Sequence, residues 1–157
     1  MTTHSPLRSC ETFLLSGDIH PSGGRERWAK GAPALVQVGI NFDAVQIPGA
    51  LVEACASVPS LHGITEAFRE AGITRSVIVS RSRVWYYALV PPGTDRTWRV
   101  EGVRCLGTAD EAPYLSVPHP ASPGMPGAHW LLPAPDGVGA LCDPRSVRAL
   151  LRKEAHP

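Results

Sequence analysis

Ser76-Val77-Ile78-Val79-Ser80-Arg81-Ser82-Arg83-Val84-Trp85-Tyr86-Tyr87-Ala88-Leu89-Val90-Pro91-Pro92-Gly93 is the stretch that decides the fold. Two runs of β-branched, aromatic and aliphatic residues, Ser76 to Ser80 and Val84 to Val90, flank the polar linker Ser80-Arg81-Ser82-Arg83, the pattern of an antiparallel hairpin. Pro91-Pro92-Gly93 then breaks the chain, since proline cannot donate to a ladder. Neighbours on a strand point to opposite faces, so either Tyr86 or its two neighbours face a ligand. Trp85, Tyr87 and Leu89 are expected on the buried face, with Tyr86 and Ala88 turned the other way and Tyr86 placed to stack on a base.

Upstream, Leu61, Ile64, Phe68 and Ala71 recur at helical spacing, opposite Glu66, Arg69 and Glu70, and Gly72 is placed to cap the helix. Packing Ile64 and Phe68 on the Trp85 face would build the core. From Ala34 to Ile47 apolar and polar residues alternate as in a half-buried strand, with Gly39 at a bend or bulge. Pro48 ends it, and Leu51 to Ala56 suit a short helix. Downstream, short strands are expected at Trp98 to Val100, Val103 to Leu106, Tyr114 to Val117 and His129 to Leu132. A last helix opens at Asp143 as N-cap and Pro144 as first residue, burying Val147, Leu150 and Leu151. The expected fold is α+β, mainly one antiparallel sheet with a few short packing helices. Residues 1–33 show no periodicity beyond Phe13 to Leu15, so they are expected to be an irregular lead segment to a domain spanning 34–157.

The 157 residues suffice for one core without staples, and 16 prolines with 15 glycines favour short elements. A formal charge of +1 leaves no global field to draw nucleic acid or anionic lipid, so any such contact is local. No apolar run reaches spanning length, and Met1 to Gly17 lack a signal pattern, so a cytoplasmic protein without a membrane role is expected. The four cysteines, Cys10, Cys55, Cys105 and Cys142, are far apart and form no C-x-x-C pair, which excludes zinc ribbons and thioredoxin-type sites. Cys55 and Cys105 fall in apolar patterns, as small core residues do.

Four pieces occur in order: Phe42-Asp43-Ala44-Val45-Gln46-Ile47-Pro48, then Trp85 to Gly93, then Tyr114-Leu115-Ser116-Val117-Pro118, then His129-Trp130. Together they resemble the small bifunctional DNA primase/polymerase N-terminal (prim-pol) proteins of GC-rich bacteria, over roughly Ala34 to the C-terminus. The resemblance implies a fold of the archaeo-eukaryotic primase type, with acids on adjacent strands holding divalent metal and a histidine on the incoming nucleotide. It makes Asp43 the metal-binding acid, for magnesium or manganese, and His119 the nucleotide contact. Val45 stands where a second acid is expected, and one carboxylate is a poor magnesium site. The second family motif resembles Pro-Pro-Ser-x-His, whereas this chain runs Pro118-His119-Pro120-Ala121-Ser122-Pro123-Gly124 before His129. Ser122 and His129 join Arg81, Arg83 and Tyr86 as candidate ligand-binding residues. A closer literal match, His20-Pro21-Ser22-Gly23-Gly24-Arg25-Glu26-Arg27-Trp28, precedes Asp43 and so breaks the family order.

Each candidate has a plain structural alternative. Asp43 is either a ligand or a polar residue on an exposed strand face, and His119 either touches phosphate or is a solvated loop residue. Alternation would bring Arg81 and Arg83 to one side as an anion site, or they are a charged turn. Three functions follow. A degenerate prim-pol domain would bind a nucleotide, nucleic acid or protein partner without polymerising. An active nucleotidyltransferase would recruit Glu101, Asp110 or Glu111 beside Asp43. A small-molecule enzyme or binding protein would have reused the sheet.

Overall fold

β3 (Val77–Val79) and β4 (Trp85–Val90) form the expected antiparallel hairpin, with Val77 opposite Ala88 and Val79 opposite Tyr86. The computed structural model describes residues 6–17, 21–108, 114–122 and 127–155. β2 (Asp43–Pro48) pairs antiparallel with β4 and with β5 (Arg104–Leu106), and β7 (His129–Leu132) pairs antiparallel with β3. The resulting sheet has five strands in the order β5-β2-β4-β3-β7. The architecture is α+β, and every strand pair in it is antiparallel.

One face of this sheet is covered by α3 (Gly49–Cys55), α4 (Leu61–Glu70) and α5 (Pro144–Ala155). The helix ends follow the sequence. Ser60 Oγ accepts from Gly63 N at 3.1 Å at the start of α4, and Gly72 ends it at φ 91°, where Ile73 N reaches Phe68 O at 2.9 Å. Asp143 Oδ1 accepts from Arg145 N at 2.8 Å at the start of α5. Val147 and Leu150 meet the sheet together with Ile64 and Phe68, all four fully buried.

The facing of β4 is the reverse of the sequence expectation. Tyr86, Ala88 and Val90 turn toward the helices, whereas Trp85 and Tyr87 stay half-buried on the other side. Tyr86 is 0% exposed and its ring lies 6.3 Å from that of Phe68. Alternation fixes that the two sets part, but both sets are apolar because both faces of the sheet carry a covering layer. Periodicity therefore could not choose between them.

A second layer overturns three further expectations. The run from Ala34 to Ile47 is two strands, β1 (Ala34–Gln37) and β2, joined by a turn in which Gly39 takes φ 92° and its N–H reaches Phe42 O at 2.7 Å. β1 leaves the main sheet and pairs with β6 (Tyr114–Val117), so the described residues form two sheets where one was expected. The lead segment is not irregular over its described residues, which form α1 (Pro6–Leu15) and α2 (Pro21–Ala29). Leu14 and Leu15 are fully buried against Ala34, Phe42, Leu89 and Val117, which closes the second face. Trp98 to Val100 forms only an isolated bridge, Val100 to Val103, and no helix of the described residues is long and apolar enough to cross a membrane.

Candidate functional site

Asp43 opens β2 opposite Val90, on the helix-covered face. It is 0% exposed, so neither an open strand face nor solvent meets it. Its Oδ2 accepts from Gly93 N at 3.1 Å and Asp95 N at 2.9 Å, because Pro91-Pro92-Gly93 turns the chain back over the start of β2 into a 3-10 turn at Thr94–Arg96. The side chain thus satisfies two backbone donors of that turn. Its Oδ1 and the Asp95 Oδ1 are both buried without another donor. The two carboxyls face each other, and burial first, then the Asp95 carboxyl, pushes the Asp43 acid up from 3.8 to about 6. The two backbone N–H bonds oppose the shift. Below about pH 6 the pair therefore carries a proton on Asp43.

Asp95 is the second carboxylate beside Asp43, and the sequence reading missed it. Pro91-Pro92-Gly93 was legible as a break, but where the chain returned was not. Val45, two residues after Asp43, sits fully buried on the same helix-covered face. Glu101 is exposed and lines, with Asp95, Trp98, Arg99 and Arg104, an open cleft of about 520 Å³. Asp110 and Glu111 lie outside the described residues. Among those described, no three His, Cys, Asp or Glu side chains gather as a metal-binding group.

His119 sits elsewhere, after β6. Its Nδ1 accepts from Ala121 N at 3.1 Å, its Nε2 lies 3.5 Å from Glu11 Oε1 of α1, and its ring meets Trp28 of α2 edge-on at 5.1 Å. Trp28 Nε1 donates to Val117 O at 2.9 Å, so this histidine belongs to the contacts that dock α1 and α2 on β6. Asp43 and His119 share no partner among the described residues. Ser122 N donates to His119 O at 2.8 Å, and His129 is 7% exposed in β7 with Nδ1 3.1 Å from Gly127 O. The literal motif match falls in α2 from Pro21 to Trp28, and His20, Pro123 and Gly124 lie outside the described residues.

Arg81 and Arg83 do not share a strand face. The linker is a tight turn in which Ser82 has φ 61° and Arg83 φ 55°, closed by Trp85 N on Ser80 Oγ at 2.8 Å. Arg81 is exposed, while half-buried Arg83 acts with Glu53 on the Tyr86 hydroxyl on the helix side. Burial outweighs the Arg83 charge and raises the Tyr86 phenol above its ordinary value. That hydroxyl has no hydrogen-bond partner and is sealed from any ligand. Cys142 is likewise closed off, its thiol pushed up to about 12 by burial.

Compared with known proteins, the chain matches no family model, no curated protein and no solved structure.

Proposed function

We propose that this chain is a prim-pol-like domain without polymerase activity, which binds a nucleotide, nucleic acid or protein partner. The carrying observation is the enclosure of Asp43, whose Oδ2 is taken by two backbone N–H groups and whose Oδ1 is buried without a donor beside the half-buried Asp95. A catalytic carboxylate must present charged oxygens to two ions that clamp attacking and leaving groups. Here a metal at Asp43 would have to break the backbone bonds that hold the Thr94–Arg96 turn and enter a fully buried position. Val45 offers no oxygen at the family's second position. A bacterial cytoplasmic setting belongs to the same reading and is supported by four cysteines outside any disulfide, three of them buried.

One observation favours the active nucleotidyltransferase instead, namely the second carboxyl that Asp95 brings to Asp43. Labelled-nucleotide incorporation on primed and unprimed templates, with magnesium and with manganese, separates the two. We expect no product from the intact protein. Product that disappears in Asp43→Asn would overturn the non-polymerising reading.

A further inference from the structure

The sheet face turned away from Asp43 carries a row of side chains that crosses all five strands. Arg104 of β5 pairs with Gln46 of β2, Gln46 with Tyr87 of β4, Tyr87 with Ile78 of β3, and Ile78 with Trp130 of β7. Directly paired residues project to one side of a sheet, so these five share a face. The adjacent row, Leu106, Ala44 and Leu89, lies beneath α1, α2 and β1. In this row Ile78 is 1% exposed, Gln46, Tyr87 and Trp130 are half-buried, the last two packed against the second core, and Arg104 is exposed. Trp85, two residues before Tyr87, extends the same face and is also half-buried.

The platform is braced. Gln46 Nε2 donates to Tyr87 Oη at 3.2 Å, and Trp130 Nε1 donates to Pro118 O at 3.0 Å. None of the described strand residues on this face is acidic, and its one strand charge, Arg104, is positive. Exposed Arg81 lies in the turn that leads directly into Trp85.

We infer that this face binds single-stranded nucleic acid, with Trp85 and Tyr87 stacking unpaired bases and Arg104 and Arg81 meeting phosphates. The inference rests on the binding reading above and names its site and ligand. Aromatic faces accept any base, and positive groups at the margins track a backbone, which together give binding that is indifferent to sequence and sensitive to salt. Paired bases cannot reach the rings, so a duplex is refused.

Fluorescence anisotropy with labelled oligothymidylate of roughly ten nucleotides tests this, a length within the usual span of such sites. The intact protein should bind it saturably, more tightly than a duplex of equal length or thymidine monophosphate. Tyr87→Leu and Trp85→Leu should each weaken binding on the order of tenfold. Arg104→Glu should weaken it and lower the salt slope by roughly one, while Tyr86→Phe leaves it unchanged. Melting temperatures identify any variant that fails to fold, and Tyr87→Leu with Arg104→Glu decides the matter if Trp85→Leu does. Absence of binding, equal binding of duplex or mononucleotide, or binding indifferent to these substitutions would overturn the site. Nucleotide incorporation would instead sink the non-polymerising reading, whatever the anisotropy shows.

Discussion

Asp43 shows how burial and a neighbouring carboxyl shift the titration of one acid. Its acid is raised from 3.8 to about 6 by burial and by Asp95, so between those values the folded protein holds a proton that the unfolded chain has released. Stability from this group is therefore present below that window and lost as pH rises through it. The cost at neutral pH is on the order of 3 kcal/mol and belongs to the carboxyl pair jointly. Asp43→Asn keeps an oxygen for Gly93 N and Asp95 N and places an N–H₂ donor against Asp95. Denaturant melts from about pH 4 to about pH 8 should show the intact protein losing this contribution through the window. Asp43→Asn should flatten the loss and be the more stable protein at the alkaline end. An unchanged pH profile in the variant would show that the proton resides elsewhere.

At the scale of elements, the most legible pieces were those with two independent signals. α4 had both an apolar stripe and Gly72, α5 had both Asp143-Pro144 and a stripe, and the hairpin had two β-rich runs around a polar turn; all three stand. β1 and β2 merged in the sequence reading because strand alternation carries no mark of which sheet a strand joins. Gly39 was legible as a bend, and the bend proved to be the corner between two sheets. α2 left almost no trace, since Pro21-Ser22-Gly23-Gly24 is a loop signal and Gly24 is buried only because Leu15 packs where its side chain would be. For the candidate site, the acid itself was legible but not its partner, because Asp95 arrives by tertiary return of the chain. The N-terminal helices should matter energetically: Leu14→Ala empties a fully buried position in the second core and should cost about 2–5 kcal/mol. Chemical denaturation would measure it, and a loss within a few tenths would detach α1 from the fold.

The whole molecule is a sheet covered on both sides, helices on one face and a two-stranded sheet with α1 and α2 on the other. This two-sided cover explains why composition gave no functional signal: apolar residues are spent on two cores, and the charges that remain nearly cancel. Trp85, Tyr87 and Gln46 are among the polar and aromatic side chains that the cover leaves half-buried. The pairing of β1 with β6, Ala34 opposite Val117 and Gln37 opposite Tyr114, also sets an order of events during synthesis. Non-local pairs must wait for loop closure, and here the wait is for translation itself. β2 can find β4 as soon as Val90 has emerged, whereas β1 has no strand partner, and Trp28 no carbonyl at Val117, until Tyr114 to Val117 have emerged. Nascent chains stalled just before Tyr114 should therefore be cut by protease within α1 and α2, and the released full chain should resist. Equal resistance in both would mean that the N-terminal helices dock without β6, and the vectorial delay would vanish.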